Sequence, residues 1–257
     1  MRLALVALAT ALSGAACSAQ ISASGAGGGS GGQLSDVDAG TTGGPTIDAM
    51  PPPTTPSCTS RTLYLNFEGQ TLTQGPSDAT RNQASWMTIP TGTAPPYLSG
   101  VASRAATIQA ITDGVRMELS QFPITVVTTR PASGNYVMIV FGGQRTAVGS
   151  NYSGGVNQLD CGDVRPNDVA WISDTVTPNQ HVINTAIGAI GFGLGLTATN
   201  DPLDCMCGWA NGCISNNTVA CKLGSPIARD TSTATQTCPG AAALQDEVAT
   251  LHNAFCM

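Results

Sequence analysis

The run from Gly188 to Ala198, GAIGFGLGLTA, sets four glycines between Gly188 and Gly195 in a stretch otherwise apolar enough for a buried helix. Each glycine in a helix interior costs about 0.8–1 kcal/mol relative to alanine, so the four together oppose a helix by roughly 3–4 kcal/mol. Something other than helix propensity therefore accounts for them. Gly191 and Gly195 lie four apart, a small-residue face that lets a helix approach a neighbouring sheet closely, with Ile187, Ile190, Leu194 and Leu196 as core.

The rest of the chain supplies that sheet. In RTLYLNFEGQ, 61–70, Leu63, Leu65 and Phe67 alternate with Thr62, Tyr64 and Asn66, a period-two strand pattern ending at Gly69. Residues 71–100 are rich in turn formers, and 101–122 places Ile108, Ile111, Val115 and Leu119 at helical steps before Pro123. Strands are expected at 124–130 and 135–143, separated by the turn PASG, and a short one at VAWISD, 169–174. The glycine-rich helix spans 181–196; beyond it, 201–239 has little periodicity, and 241–256 carries Leu244, Val248, Leu251 and Phe255 on one helical face. This order gives an α+β fold: a twisted mixed sheet backed by two long helices, with a disulfide-rich irregular C-terminal portion ending in a helix.

The first residues resemble an export signal: Arg2 precedes the apolar run LALVALATAL, too short to span a bilayer, and then SGAACSA. Residues 1–19 are thus expected to be a signal peptide, cleaved before a lipidated Cys17 or after Ala19. Residues 20–57, dominated by Gly, Ser, Thr and Pro, form a linker unable to bury enough apolar surface to offset its ordering entropy. Residues 58–257 are one domain.

Cys58, Cys161, Cys205, Cys207, Cys213, Cys221, Cys238 and Cys256 are an even set in an exported chain, which favours disulfides. Zinc thiolate sites fit less well, because no CxxC pair occurs. The location is the cell envelope, through a lipid on Cys17, or the exterior, with no transmembrane helix once the signal is removed. With 10 basic against 16 acidic residues and a single lysine, Lys222, nucleic acid is excluded as a partner.

A zinc-protease helix needs two histidines four apart, on one face, with a glutamate beside the first as general base. The longer frame HExxHxxGxxH adds a glycine at which the chain turns sharply and a third histidine beyond it. With the frame's glycine at Gly195, the first histidine position falls on Gly188, the glutamate on Ala189, the second histidine on Phe192 and the third on Ala198. Met206, in NDPLDCMCG, stands where a methionine turn belongs. On these positions the chain resembles the metzincin clan of zinc metallopeptidases, particularly exported bacterial proteins that open with a strand such as LYLNFEG.

The resemblance implies a metzincin-like fold in which VAWISD (Val169, Ala170, Trp171, Ile172 and Ser173) is an edge strand that binds an extended peptide. It does not imply the activity. The frame's four chemical letters are exchanged for side chains without lone-pair donors, so the expectation is a pseudopeptidase with no catalytic residue, no metal and no cofactor. Its partner would be an extended peptide or an envelope protein.

Two other readings stay open: an active zinc peptidase using another set, such as His181 and His252 with Asp201 or Asp204, and a passive envelope lipoprotein. The helix can also be core packing alone. The loop DCGDVRPND, with Asp160, Asp163 and Asp168, lacks the spacing of a calcium loop, and turn-forming, solvated aspartates are expected there.

Overall fold

In the computed structural model of the chain, the described residues are 58–207, 218–231 and 237–256. The expected signal peptide with Cys17, the linker up to residue 57, and Cys213 lie outside them.

The apolar alternation of the first strand produces β1 (Arg61–Asn66), followed by β2 (Gln70–Gln74), β3 (Gln83–Ala84) and β4 (Thr91–Ala94). Then come helix α1 (Arg104–Glu118), β5 (Ile124–Val127), β6 (Tyr136–Phe141), the single turn α2 (Arg145–Val148), β7 (Gly155–Val156) and β8 (Val169–Ile172). Helix α3 (Asn179–Gly193), β9 (Ile227–Ala228), β10 (Leu244–Gln245) and α4 (Glu247–Phe255) complete the fold.

A five-stranded sheet in the order β5-β1-β6-β8-β7 forms the centre. β5, β1, β6 and β8 pair in parallel, and β7 runs antiparallel to β8. The expected mixed sheet is present, but both of its faces are covered. Leu63, Leu65 and Phe67 of the β1 region pack with Val137, Ile139 and Phe141 against Ile111 and Val115 of α1 and the apolar residues of α3. Tyr64, Met138, Val140 and Trp171 turn the other way, onto Leu72, Ala84 and Ala94 of a three-stranded sheet, β3-β2-β4, and onto Trp86 in the loop after β3. That second layer explains why Tyr64 and Asn66, on the side expected to be polar, are buried too.

VAWISD is not an edge strand. β8 lies between β6 and β7, and Val169, Ala170, Trp171 and Ile172 are all fully buried, as an unbroken apolar run in a largely parallel sheet requires. Among the described residues the terminal strand on that side is β7, two residues inside a glycine-bearing loop.

The late helix is shorter than its periodicity indicated. Leu244–Gln245 pair with Ile227–Ala228 instead, and Asp246 starts α4 as an N-cap, its carboxylate accepting the Ala249 N–H at 2.8 Å.

Disulfides join Cys58–Cys256, Cys161–Cys238 and Cys205–Cys221, and Cys207 is disulfide-bonded as well. The first ties residues 198 apart, so α4 is fastened beside the start of β1. In the chain-entropy picture a loop of that length is worth about 5 kcal/mol. Such bonds suit an oxidising, exported environment. No helix among the described residues is long and apolar enough to cross a membrane.

Helices α1 and α3 meet where Gly114 faces Ile183, whose Cδ1 occupies the place a β-carbon at 114 would take. Gly114→Ala should therefore destabilise the fold by about 1–3 kcal/mol through overpacking, although alanine favours the helix itself. Ile183→Val, which removes Cδ1, should recover part of that loss in a double-mutant cycle followed by urea unfolding.

Candidate functional site

Helix α3 ends in a Schellman motif. The Leu196 N–H reaches the Gly191 carbonyl at 2.9 Å and the Gly195 N–H the Phe192 carbonyl at 3.2 Å, with Gly195 at φ +89°. A positive φ of that size favours glycine, which accounts for Gly195 and gives the sharp turn that the sequence frame assigned to it.

Space accounts for the next two glycines. A β-carbon on Gly191 would lie 2.6 Å from Met206 Sδ and 3.0 Å from Leu196 Cδ1. One on Gly193 would fall on the Asn157 amide and the Asp168 carboxyl. The bare backbone of the last turn is thus what lets the methionine loop, the residue after β7 and the residue before β8 close on α3 together. Gly188 is buried in the same helix.

The four positions on which the frame's ligands and base fall, Gly188, Ala189, Phe192 and Ala198, lie in and just beyond α3. Gly188 and Phe192 are one turn apart on one face of α3, and Ala189, in the core, has its carbonyl bonded by Asn157 Nδ2 at 2.8 Å. After the turn at Gly195 the chain reaches the buried Ala198, whose carbonyl accepts the Asp230 N–H at 2.7 Å. Its neighbour Thr199 donates its N–H to the Met206 carbonyl at 3.4 Å, and Met206 returns to Gly191. Glycine, alanine, phenylalanine and alanine offer no electron pair to a cation, so the zinc ion that the frame carries in metzincins does not fit these residues.

The alternative donors are not gathered. His181 lies in the first turn of α3, its Nδ1 3.3 Å from the Thr177 carbonyl, and His252 is exposed on α4. Asp201 is exposed and Asp204 buried. Among the described residues no three His, Cys, Asp or Glu side chains group as a cation site.

The aspartate loop departs from expectation. Asp160 and Asp168 are buried rather than solvated. Asp160 Oδ2 accepts the Arg165 N–H at 2.7 Å, and Arg165 Nε lies 3.5 Å from Asp160 and 4.0 Å from Asp168. Burial pushes the Asp168 carboxyl up to about 7, against the opposing pull of Arg165. Asp163 pairs at 2.6 Å with Arg61, which is 1% exposed and also donates to the carbonyls of Pro166 and Ala254. One buried guanidinium therefore fastens this loop and the end of α4 to β1. Arg61 had no sequence signal beyond standing first in an apolar strand, and Asn157 had none.

The chain matches no protein-family model and no curated protein. Among solved structures it is similar to metalloproteinase-II from Bacteroides fragilis, with TM-score 0.33 and 10% identity over 62% of this chain and 48% of that one. It thus spans about half the length of that protein, a distant metalloproteinase neighbour.

Because Gly195 is held at a positive φ, Gly195→Ala should cost about 1–2 kcal/mol in urea unfolding, and Gly195→Asn less, since asparagine tolerates the left-handed region. Equal losses for the two would show that space near the Asp160 carbonyl, 3.0 Å from a β-carbon there, decides the position instead.

Proposed function

We propose that the chain is an exported pseudopeptidase of metzincin type. It is held at the envelope by a lipid on Cys17 or released by cleavage after Ala19, and it acts by binding an extended peptide or an envelope protein. The carrying observation is the packing of Met206 against Gly191, with the helix closed at Gly195. The scaffold letters of the frame have structural work while its chemical letters, at Gly188, Ala189, Phe192 and Ala198, are apolar. Without a glutamate at 189 there is no general base beside the first ligand position, so hydrolysis by that route has no support.

The binding surface proposed is the outer side of β7 rather than β8. Ser173 N–H bonds the Gly154 carbonyl at 2.8 Å, so by the alternation of an antiparallel ladder Gly155 turns its own N–H and C=O away from β8. An extended peptide adding there would extend the sheet by main-chain hydrogen bonds.

Two measurements on the purified, oxidised chain test this reading. Elemental analysis should find no stoichiometric zinc, and a general protein substrate should undergo no chelator-sensitive cleavage; the opposite results would make the chain an active metallopeptidase with another ligand set. On a peptide array, binding should fall at least tenfold with Gly155→Pro, which removes the outward N–H, at an unchanged melting temperature. An array with no binding dependent on that strand would leave the passive envelope protein.

A further inference from the structure

Away from the end of α3, two acids meet in the core. Glu247, the first residue of α4, is 0% exposed, and Asp204, two residues before Met206, is 2% exposed. The two carboxyls face one another closely enough to perturb each other's ionisation, and Asp204 Oδ2 is buried with no hydrogen-bond donor among the described residues. Asp204 Oδ1 accepts the Thr199 hydroxyl at 2.9 Å and the Met206 N–H at 2.8 Å. Glu247 Oε2 accepts the Gly224 N–H at 2.7 Å, and its Oε1 accepts the Gln245 amide at 2.7 Å. Two carboxylates have no donor between them, so this contact requires a proton. Each accepts two hydrogen bonds from its surroundings; Glu247, the more completely buried, is the acid, and Asp204 is the carboxylate.

The charged surroundings leave that proton in place. Arg229 faces Glu247 but sends Nη1 to Thr197 Oγ1 and Gln245 Oε1, each at 2.7 Å. Asp201 adds negative charge beside Asp204. Asp230 follows Arg229 with its N–H on the Ala198 carbonyl. Lys222, bridged to Asp204 through its backbone, is exposed, as are Asp246 and His252 on the α4 side.

We propose that the Asp204–Glu247 pair is a one-proton latch that holds α4 against the loop 201–207 carrying Met206, and that an alkaline exterior opens it. This reading is independent of any peptide binding. The two sides of the latch are otherwise joined through residues 222–224, where the Glu247 N–H meets the Gly224 carbonyl at 3.0 Å and the Lys222 backbone bonds Leu203 and Cys205, and by the apolar cluster that holds Leu251, Phe255 and Met206. Cys256 stays bonded to Cys58, so the open form is loosened and not detached.

Burial first, and then the Asp204 charge, push the Glu247 carboxyl up to about 8. Between the ordinary carboxyl range and that value the folded chain holds a proton that the unfolded chain has released. Its stability therefore falls as pH rises through this window and levels off above it. Asp168, also raised, falls away in the same direction up to about 7, so a comparison of variants is needed to isolate the pair.

Asp204→Asn is the informative change: its carbonyl can keep the Thr199 and Met206 bonds, while its amide replaces the proton as donor to an ionised Glu247. Hydrogen-exchange protection of residues 247–255 should drop at least tenfold between pH 6 and pH 9 in the unsubstituted chain, after correction for intrinsic exchange. In Asp204→Asn it should change less than threefold. Glu247→Gln, whose amide can donate to Asp204, is the second variant should the first not fold, and should behave alike. Equal drops in variant and parent, or no drop in the parent, would overturn the latch.

Discussion

Helix α3 can be enclosed by so many neighbours only because every second residue from Gly191 to Gly195 lacks a side chain. Met206, Asn157, Asp168 and the Asp160 carbonyl all approach the backbone at Gly191, Gly193 and Gly195 within or at the edge of β-carbon contact. An alanine at any of the three would meet one of these neighbours. The apparent loss of helix propensity in GAIGFGLGL is thus the condition for joining three separate loops to one helix end. The helix itself is maintained by burial, since nearly every residue from Val182 to Gly193 is in the core.

Much of this architecture was legible because it rests on periodicity. The strands at 61–66, 124–127, 136–141 and 169–172 and helix α1 fall inside the expected segments, and α3 starts and ends two to three residues earlier than expected. The second sheet was not, since β2 to β4 lie in a segment whose prolines and glycines read as turns, and its presence is what buries the polar side of β1. The position of β8 was misjudged for a related reason: an apolar four-residue run does not disclose its neighbours, and the two-residue β7 that takes the edge has no period to detect. Gly195 takes a positive φ and Met206 packs on Gly191 because both depend on backbone shape. Where the apolar positions point relative to one another depends on tertiary packing, which spacing alone does not carry.

Charge is scarce in this chain, 10% of residues, and a notable share of it is internal. Arg61 ties β1 to the 160–168 loop and to α4, Arg165 sits between Asp160 and Asp168, and Asp204 meets Glu247. The first and last of these join segments distant in sequence while Arg165 closes its own loop, and each includes a group whose removal would strand a partner in low dielectric. None was visible as a motif, because such partners are chosen by the fold. The disulfides act on the same segments, so the irregular C-terminal portion is held by covalent and buried polar links where periodic packing is thin.

The central claim is that Gly188, Phe192 and Ala198 occupy the three corners of a former cation site, with Ala189 beside it. Zinc titration of the chain carrying Gly188→His, Ala189→Glu, Phe192→His and Ala198→His together, followed by calorimetry and native mass spectrometry, tests it most directly. The account predicts one tightly bound zinc per folded, oxidised chain and none in the unsubstituted protein. A folded variant that takes up no zinc would show that those positions do not converge, and would reduce α3 to a packing helix.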